Sequence, residues 1–300
     1  MKIKIYQYFA AGLSAILFLC LTMTLVAPFI NKPSVSVEAP GDVTDENQNE
    51  SNSTPSDTIS PDEGESDNYP EENIPQEPEE VPETKNTATY VRSKVDGLNI
   101  RSGPGTNYST VGYINKGDMV TLVEQEGSWY RTIYKNNTAY ISAGSSYTDT
   151  VTMKKSENET IEKVIEEGYQ LLGFPYVYGA TRYHDGNGNK IKGFNSSNYD
   201  CSSLTQFIYY HGANVNLNMT TRTQIVQGTH VPKSEITRGD LLFFTNSSRY
   251  NNTGIERVGH VAMYLGENYI LHTASDFAVI EQISQQRWSY YLETRRFVEV

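Results

Sequence analysis

Apolar positions follow four different rhythms along this chain, and each predicts a different kind of structure. From Phe9 to Ile30 they form an almost unbroken run behind Lys2 and Lys4. That length is nearer the ~20 residues of a membrane-spanning helix than the roughly 7–15 of a secretory core. Residues 1–30 are therefore expected to be a signal peptide or a membrane anchor that inserts in the membrane. The lysines would stay on the cytoplasmic side and the rest of the chain would be exported. From 31 to 87 almost nothing is apolar, and Pro, Glu, Asp, Ser and Asn dominate. Such a segment cannot bury enough surface to offset its ordering entropy, so it is expected to be a disordered, extended spacer.

Residues 88–148 switch to short alternating runs. Val91-Arg92, Leu98–Arg101, Thr110–Ile114, Met119–Glu124, Trp129–Tyr134 and Thr138–Ile141 are separated by turns rich in Gly, Asn and Asp. This pattern predicts a small all-β barrel. Ile161, Val164, Ile165, Tyr169 and Leu172 then recur at helical spacing and predict a helix over Ser156–Gly173, with Gly173 as its stop. Leu204, Phe207, Ile208 and Tyr210 predict a second helix over Ser202–His211. Leu241–Phe244 suits a central buried strand. Val258–Gly266 and Tyr269–Ala274 read as a hairpin, and Ala278–Ile283 and Arg296–Val300 as further strands. Residues 156–300 are thus expected to be an α+β domain, with helices packed on an antiparallel sheet.

The formal net charge is −12, but fifteen acids and no Lys or Arg lie between Gly41 and Thr84. Removing that −15 leaves +3 for everything else, so the acidity belongs to the spacer. The overall balance argues against a nucleic-acid partner.

The chain has two cysteines. Cys20 lies inside the apolar N-terminal run, which leaves Cys201 as the sole thiol of the exported part. With no disulfide partner, a reactive thiol is the leading reading. The following helix would place its N-terminus at the sulfur, where partial positive charge and unpaired N–H groups favour the thiolate. A buried structural cysteine is the alternative, and polar Asp200, Ser202 and Ser203 around it argue against that. A thiol nucleophile needs a base and a group that holds the base in one tautomer. His260 and His272, on adjacent strands of the expected hairpin, can supply both.

The remaining histidines offer less. His211 closes the cysteine helix as a cap, and His184 and His230 fall in polar loops without evident partners. No Cys/His cluster has zinc-ligand spacing, so no metal or other cofactor is expected. Asp185–Asn189 is similar to the opening of a calcium loop. Lys190 and Ser196, at its sixth and twelfth positions, predict a plain turn instead.

These residues carry two resemblances. Pro175-Tyr176-Val177-Tyr178-Gly179, Asp200-Cys201-Ser202, Gln224 with Gly228, Arg238–Phe244, and His260-Val261 through Gly266 to His272 resemble the NlpC-type (NlpC/p60) cell-wall cysteine peptidases. Leu98-Asn99-Ile100-Arg101-Ser102-Gly103-Pro104 resembles the bacterial SH3-like domain. The first implies a papain-like core over 156–300 and hydrolysis of peptidoglycan stem peptides at the D-glutamyl–diamino acid bond, through an acyl-thioester. An amidase or acyl transferase of the same fold, or a non-catalytic wall-binding protein, are the other readings. The resemblance also implies that Asp200 and Ser202 bind the stem peptide through its free amino end, and that the Tyr176 hydroxyl lies near the thiol. The second resemblance implies a barrel that targets the wall or shapes the substrate groove. Together they imply a protein on the outer side of the cytoplasmic membrane or in the wall. The sequence departs from the family pattern at Ala180 and Ser203, where glycines are usual. It reads Leu217-Asn218-Met219-Thr220-Thr221 where an arginine is common, and 181–199 is longer than usual.

Overall fold

The computed structural model describes residues 86–274 and 276–300. The expected leader or anchor at 1–30, and nearly all of the spacer, lie outside them. Among the described residues no helix is long and apolar enough to cross a membrane.

Eight strands come first: β1 (Thr87–Ser93), β2 (Leu98–Arg101), β3 (Thr110–Ile114), β4 (Met119–Thr121), β5 (Glu124–Glu126), β6 (Trp129–Tyr134), β7 (Asn137–Ser142) and β8 (Thr148–Lys154). Helices α1 (Glu159–Gln170), α2 (Cys201–Ala213) and the short α3 (Thr221–Gln224) follow. Then come β9 (Thr229–Val231), β10 (Leu241–Phe244), β11 (His260–Gly266), β12 (Tyr269–Ala274), β13 (Phe277–Gln282), α4 (Gln285–Ser289) and β14 (Tyr291–Arg296). One sheet runs β3-β2-β7-β6-β5, and a nine-stranded sheet runs β8-β1-β4-β13-β12-β11-β10-β14-β9. The fold is α+β, with a small β module ahead of a helix-on-sheet domain.

Two expectations change, and one strand is added. Met119–Glu124 is not one strand. The chain leaves β4, which pairs with β1, and enters β5, which pairs with β6 in the other sheet. Leu122-Val123 is the corner, and period-2 alternation cannot reveal a change of sheet. The last strand lies at Tyr291–Arg296 rather than Arg296–Val300, because Leu241–Arg295 and Leu242–Thr294 pairing with β10 pulls it earlier. Residues 148–154, to which the pattern assigned no strand, pair with β1 along its whole length.

The two modules share one core. Ile280 of β13 pairs with Met119 of β4, so the nine-stranded sheet crosses from one module to the other. One apolar cluster contains Tyr90, Ile100 and Ile141 from the first module and Leu204, Ile208 and Leu271 from the second. Gly173 closes α1 with φ +85°, and a Cβ there would lie 2.2 Å from the Tyr134 ring of β6. Glycine is required both by the left-handed turn and by the ring seated on it. Gly212 does the same between helices, since a Cβ there would lie 2.4 Å from the Val164 backbone.

Arg238 ties these parts together with all five of its N–H donors. Its Nε and Nη2 grip Glu162 of α1 at 2.7 and 3.0 Å. Nη2 also donates to the Tyr169 hydroxyl of α1 at 3.0 Å. Nη1 donates to the Tyr90 hydroxyl of β1 at 3.1 Å and to the Leu265 carbonyl of β11 at 2.7 Å. Arg238 and Glu162 are both buried. A buried pair of this kind is costly to break, because removing one partner strands the other charge. Residues 86–300 are therefore expected to unfold in one cooperative transition. Arg238→Ala should lower stability by about 3–5 kcal/mol in urea titration. Two separate transitions, or a loss below about 1 kcal/mol, would contradict a shared core.

Candidate active site

Helix α2 begins at Cys201 because Asp200 caps it. Asp200 has extended backbone (φ −99°, ψ 176°), and its Oδ1 accepts from the Ser203 N–H at 2.8 Å. The Ser203 hydroxyl accepts in turn from the Asp200 N–H at 2.9 Å. Two N–H groups near the helix end are thereby satisfied reciprocally. Ser203, unusual for the resemblance, closes this box, and the cap holds the sulfur at a fixed place.

The expectation of a resting thiolate fails. Cys201 is 8 % exposed. Burial first, and then the Asp200 charge, push its thiol up to about 12. The N–H groups of Val261 and Ser202 and the Arg182 charge pull the other way and lose. Desolvation exceeds what the helix end supplies. At neutral pH the sulfur carries its proton and needs a base to remove it.

Strand register assembles the base. Met263 faces Leu271 across β11 and β12, and Ile270 faces Glu281 across β12 and β13. His260, His272 and Glu281 therefore run diagonally over three neighbouring strands on one face, within reach of long side chains. His260 Nε2 lies 2.8 Å from His272 Nδ1. His272 Nε2 lies 3.0 Å from Glu281 Oε1, an ion-pair distance out of straight hydrogen-bond alignment. Arg287 Nη2 holds the same Glu281 oxygen at 2.9 Å. Burial works against ionising Glu281, yet His272 and Arg287 outweigh it and hold the carboxyl far below its usual range.

An ionised Glu281 can only accept hydrogen bonds, so it favours the proton of His272 on Nε2. His272 Nδ1 must then accept from His260 Nε2–H, which leaves the lone pair of His260 on Nδ1. Burial lowers His260 well below the ordinary histidine range, aided by His272 and Arg287. Burial also lowers His272, against the pull of Glu281. Both rings are neutral at pH 7.

The sulfur lies against the Val261 N–H, one residue from His260. Among the described residues no hydrogen bond joins Cys201 to His260. Tyr176, Asp200, Cys201 and Ser202 line one open cleft, while His260 and His272 stand outside its lining. Burial raises the Tyr176 phenol, with Cys201 and Asp200 adding to it, so it is a neutral donor. Asp200 and Ser202 do not face the cleft unpaired. Arg182 Nη2 lies 2.9 Å from Asp200 Oδ2 and 3.0 Å from the Ser202 hydroxyl.

Arg182, Glu281 and Arg287 escaped the sequence reading. Arg182 follows closely on Tyr176–Gly179 in a stretch read only as an insertion, and Glu281 reads as a solvent-facing strand position. His184 is fully buried, with Nδ1 accepting from the Gly186 N–H at 3.0 Å, and is not a loop residue without partners. His230 also has a partner, Glu293 Oε1 at 3.0 Å from its Nδ1. His211 does not close its helix: its Nδ1 lies 2.8 Å from the Phe207 carbonyl within α2, and Asn214, in the left-handed region at φ +53°, is the cap. The Asp185–Asn189 segment is a turn in which Asp185 accepts from the backbone of Asn187 and Asn189 and from the Asn189 side chain. Among the described residues no three His, Cys, Asp or Glu gather as metal ligands.

Residues 173–296 match the NlpC/P60 family and residues 96–148 the bacterial SH3 domain. The chain thus joins a bacterial SH3 domain to an NlpC/P60 domain. It is 26% identical over 191 residues to the gamma-DL-glutamyl hydrolase of Bacillus subtilis, covering 62% of this chain and 40% of that protein. It is 28% identical over 155 residues to the gamma-D-glutamyl-L-lysine dipeptidyl-peptidase of Bacillus cereus, covering 49% and 40%. With the peptidoglycan DL-endopeptidase CwlO of Bacillus licheniformis it shares 30% over 149 residues, covering 48% and 30%. The chain spans two fifths or less of the length of these relatives.

The raised thiol gives a direct check. Alkylation of Cys201 by iodoacetamide should climb with pH well beyond the ~8.5 midpoint of a free thiol, and be slower than a free thiol at pH 7. A midpoint below 7 would mean a preformed thiolate and contradict this picture.

Proposed function

We propose that this protein is a peptidoglycan hydrolase, a cysteine endopeptidase that cleaves stem peptides at the D-glutamyl–diamino acid bond. The observation that carries the reading is the neutral His260–His272–Glu281 relay, which begins on the strand whose Val261 N–H meets the lone thiol at a capped helix start. The relatives' names support a peptidoglycan or gamma-glutamyl hydrolase, and one of them names a gamma-D-glutamyl-L-lysine bond. The His260 Nδ1 lone pair takes the Cys201 proton as the sulfur attacks the amide carbonyl. Catalytic hydrogen bonds commonly tighten only once substrate is bound, so closure of the Cys201–His260 gap belongs to that step. The Cys201 N–H at the helix start and the Tyr176 phenol are the donors for the developing oxyanion. The carbonyl then re-forms, the C–N bond breaks, and His260 delivers its proton to the leaving amine. A thioester is left on Cys201. Water, losing its proton to His260, attacks the thioester, and the sulfur recovers that proton as the carboxylic acid leaves.

Residues 1–30 would hold the enzyme at the outer face of the membrane or direct its export, with the acidic spacer setting its reach into the wall. The SH3 module contributes no residue to the cleft lining. Its proposed role is wall contact, alongside its share of the common sheet.

Mass analysis of purified peptidoglycan should show new fragments with a free D-glutamyl carboxyl, and Cys201→Ala should yield none. His260→Ala should cost on the order of 10²–10⁴ in kcat. His272→Asn should cost less, since it keeps a hydrogen-bonding group. Glu281→Gln should cost about tenfold or more in kcat with little change in KM, because a neutral amide no longer dictates the tautomer. Fragments from Cys201→Ala would end the proposal, and an unimpaired Glu281→Gln would remove the relay from it.

A further inference from the structure

We infer that the cleft reads a free carboxylate on the substrate and not its free amino end. This rests on the hydrolase reading above. Asp200 is the one acidic residue lining the cleft, and both its oxygens are occupied. Oδ1 accepts from the Ser203 N–H at 2.8 Å and from the Ser202 hydroxyl at 3.1 Å. Oδ2 accepts from the Gly179 N–H at 3.2 Å and pairs with Arg182 at 2.9 Å. Arg182 is itself anchored, because it also donates to the Met219 and Ala180 carbonyls. The pair is nearly buried, with 12% and 7% of the two side chains exposed. An incoming ammonium would have to displace a guanidinium held by four acceptors. Asp200 is therefore a helix cap and an arginine anchor, with no capacity left for an amine.

The remaining charge in the cleft is positive. Arg222 and Arg249 line it together with Arg182, so three guanidinium groups stand against one carboxylate. Outside the lining, Glu256 reaches both arginines, at 3.7 Å from Arg222 Nε and 3.3 Å from Arg249 Nη1. Its side chain is 62% exposed, so those pairs are solvent-screened and weak. A concave site with this balance concentrates anions, and arginine forks match carboxylates in particular. A γ-linked glutamyl residue presents such a group. Its side-chain carboxyl forms the scissile amide, while its α-carboxylate stays free a short carbon chain away.

The test uses four synthetic peptides containing a γ-D-glutamyl-L-lysine bond, with the amino end free or acetylated and the glutamyl α-carboxyl free or amidated. In the wild-type protein, acetylation should change kcat/KM by less than about threefold. Amidation should lower it about tenfold or more, the scale of one hydrogen-bonded charge. Arg222→Gln combined with Arg249→Gln should narrow the acid–amide difference through KM, and Arg182→Ala should shift preference toward the unacetylated peptides by freeing Asp200. Loss of cleavage on acetylation together with indifference to amidation would overturn the inference while leaving the hydrolase reading intact. Cleavage of none of the four would overturn both.

Discussion

The buried pairing of Arg238 with Glu162 is the constraint on which the rest of the structure depends. It is the one place where β1, α1, β11 and the loop before β10 all meet through fully used donors. Fixing α1 against β11 also fixes α2, whose close approach to α1 at Gly212 leaves no space for a side chain. The cysteine rides on that helix and the histidine relay on that sheet. The SH3 module is consequently part of the scaffold that sets their separation. Its strands extend the same sheet at β13, the strand that carries Glu281.

Within that frame the site divides its work between a cap and a relay. Asp200 and Ser203 start the helix and place the sulfur, while desolvation keeps the thiol protonated. Arg287 holds Glu281 ionised on the same face of the sheet, and the resulting carboxylate sets the direction of both imidazole hydrogen bonds. On the proposed mechanism the chemistry at Cys201 depends on a charge three side chains away. The guanidinium groups proposed to read the substrate stand apart from the relay, Arg222 on α3 and Arg182 and Arg249 on loops around the cleft.

Much of this was legible in the sequence because it is local. Alternation gave most barrel strands, helical spacing gave α1, and Cys201 with His260 and His272 stood out as the candidate site. What escaped was non-local. The change of sheet at Leu122-Val123 depends on which neighbours β4 and β5 find. Glu281 becomes significant only through its diagonal register to His272, and Arg182 only because its loop folds back onto Asp200. The thiolate expectation failed for a related reason. A helix N-terminus is visible in sequence, but the burial that overrides its effect at Cys201 is a property of the assembled cleft.

The central claim is that Cys201 carries the acyl group during turnover. It is tested most directly by intact-protein mass spectrometry after acid quench during reaction with a γ-D-glutamyl peptide amide. The account predicts an increment equal to the acyl half of the substrate, mapped to Cys201, released by hydroxylamine and absent from Cys201→Ala. Turnover with no adduct at any quench time, or an adduct on another residue, would contradict it.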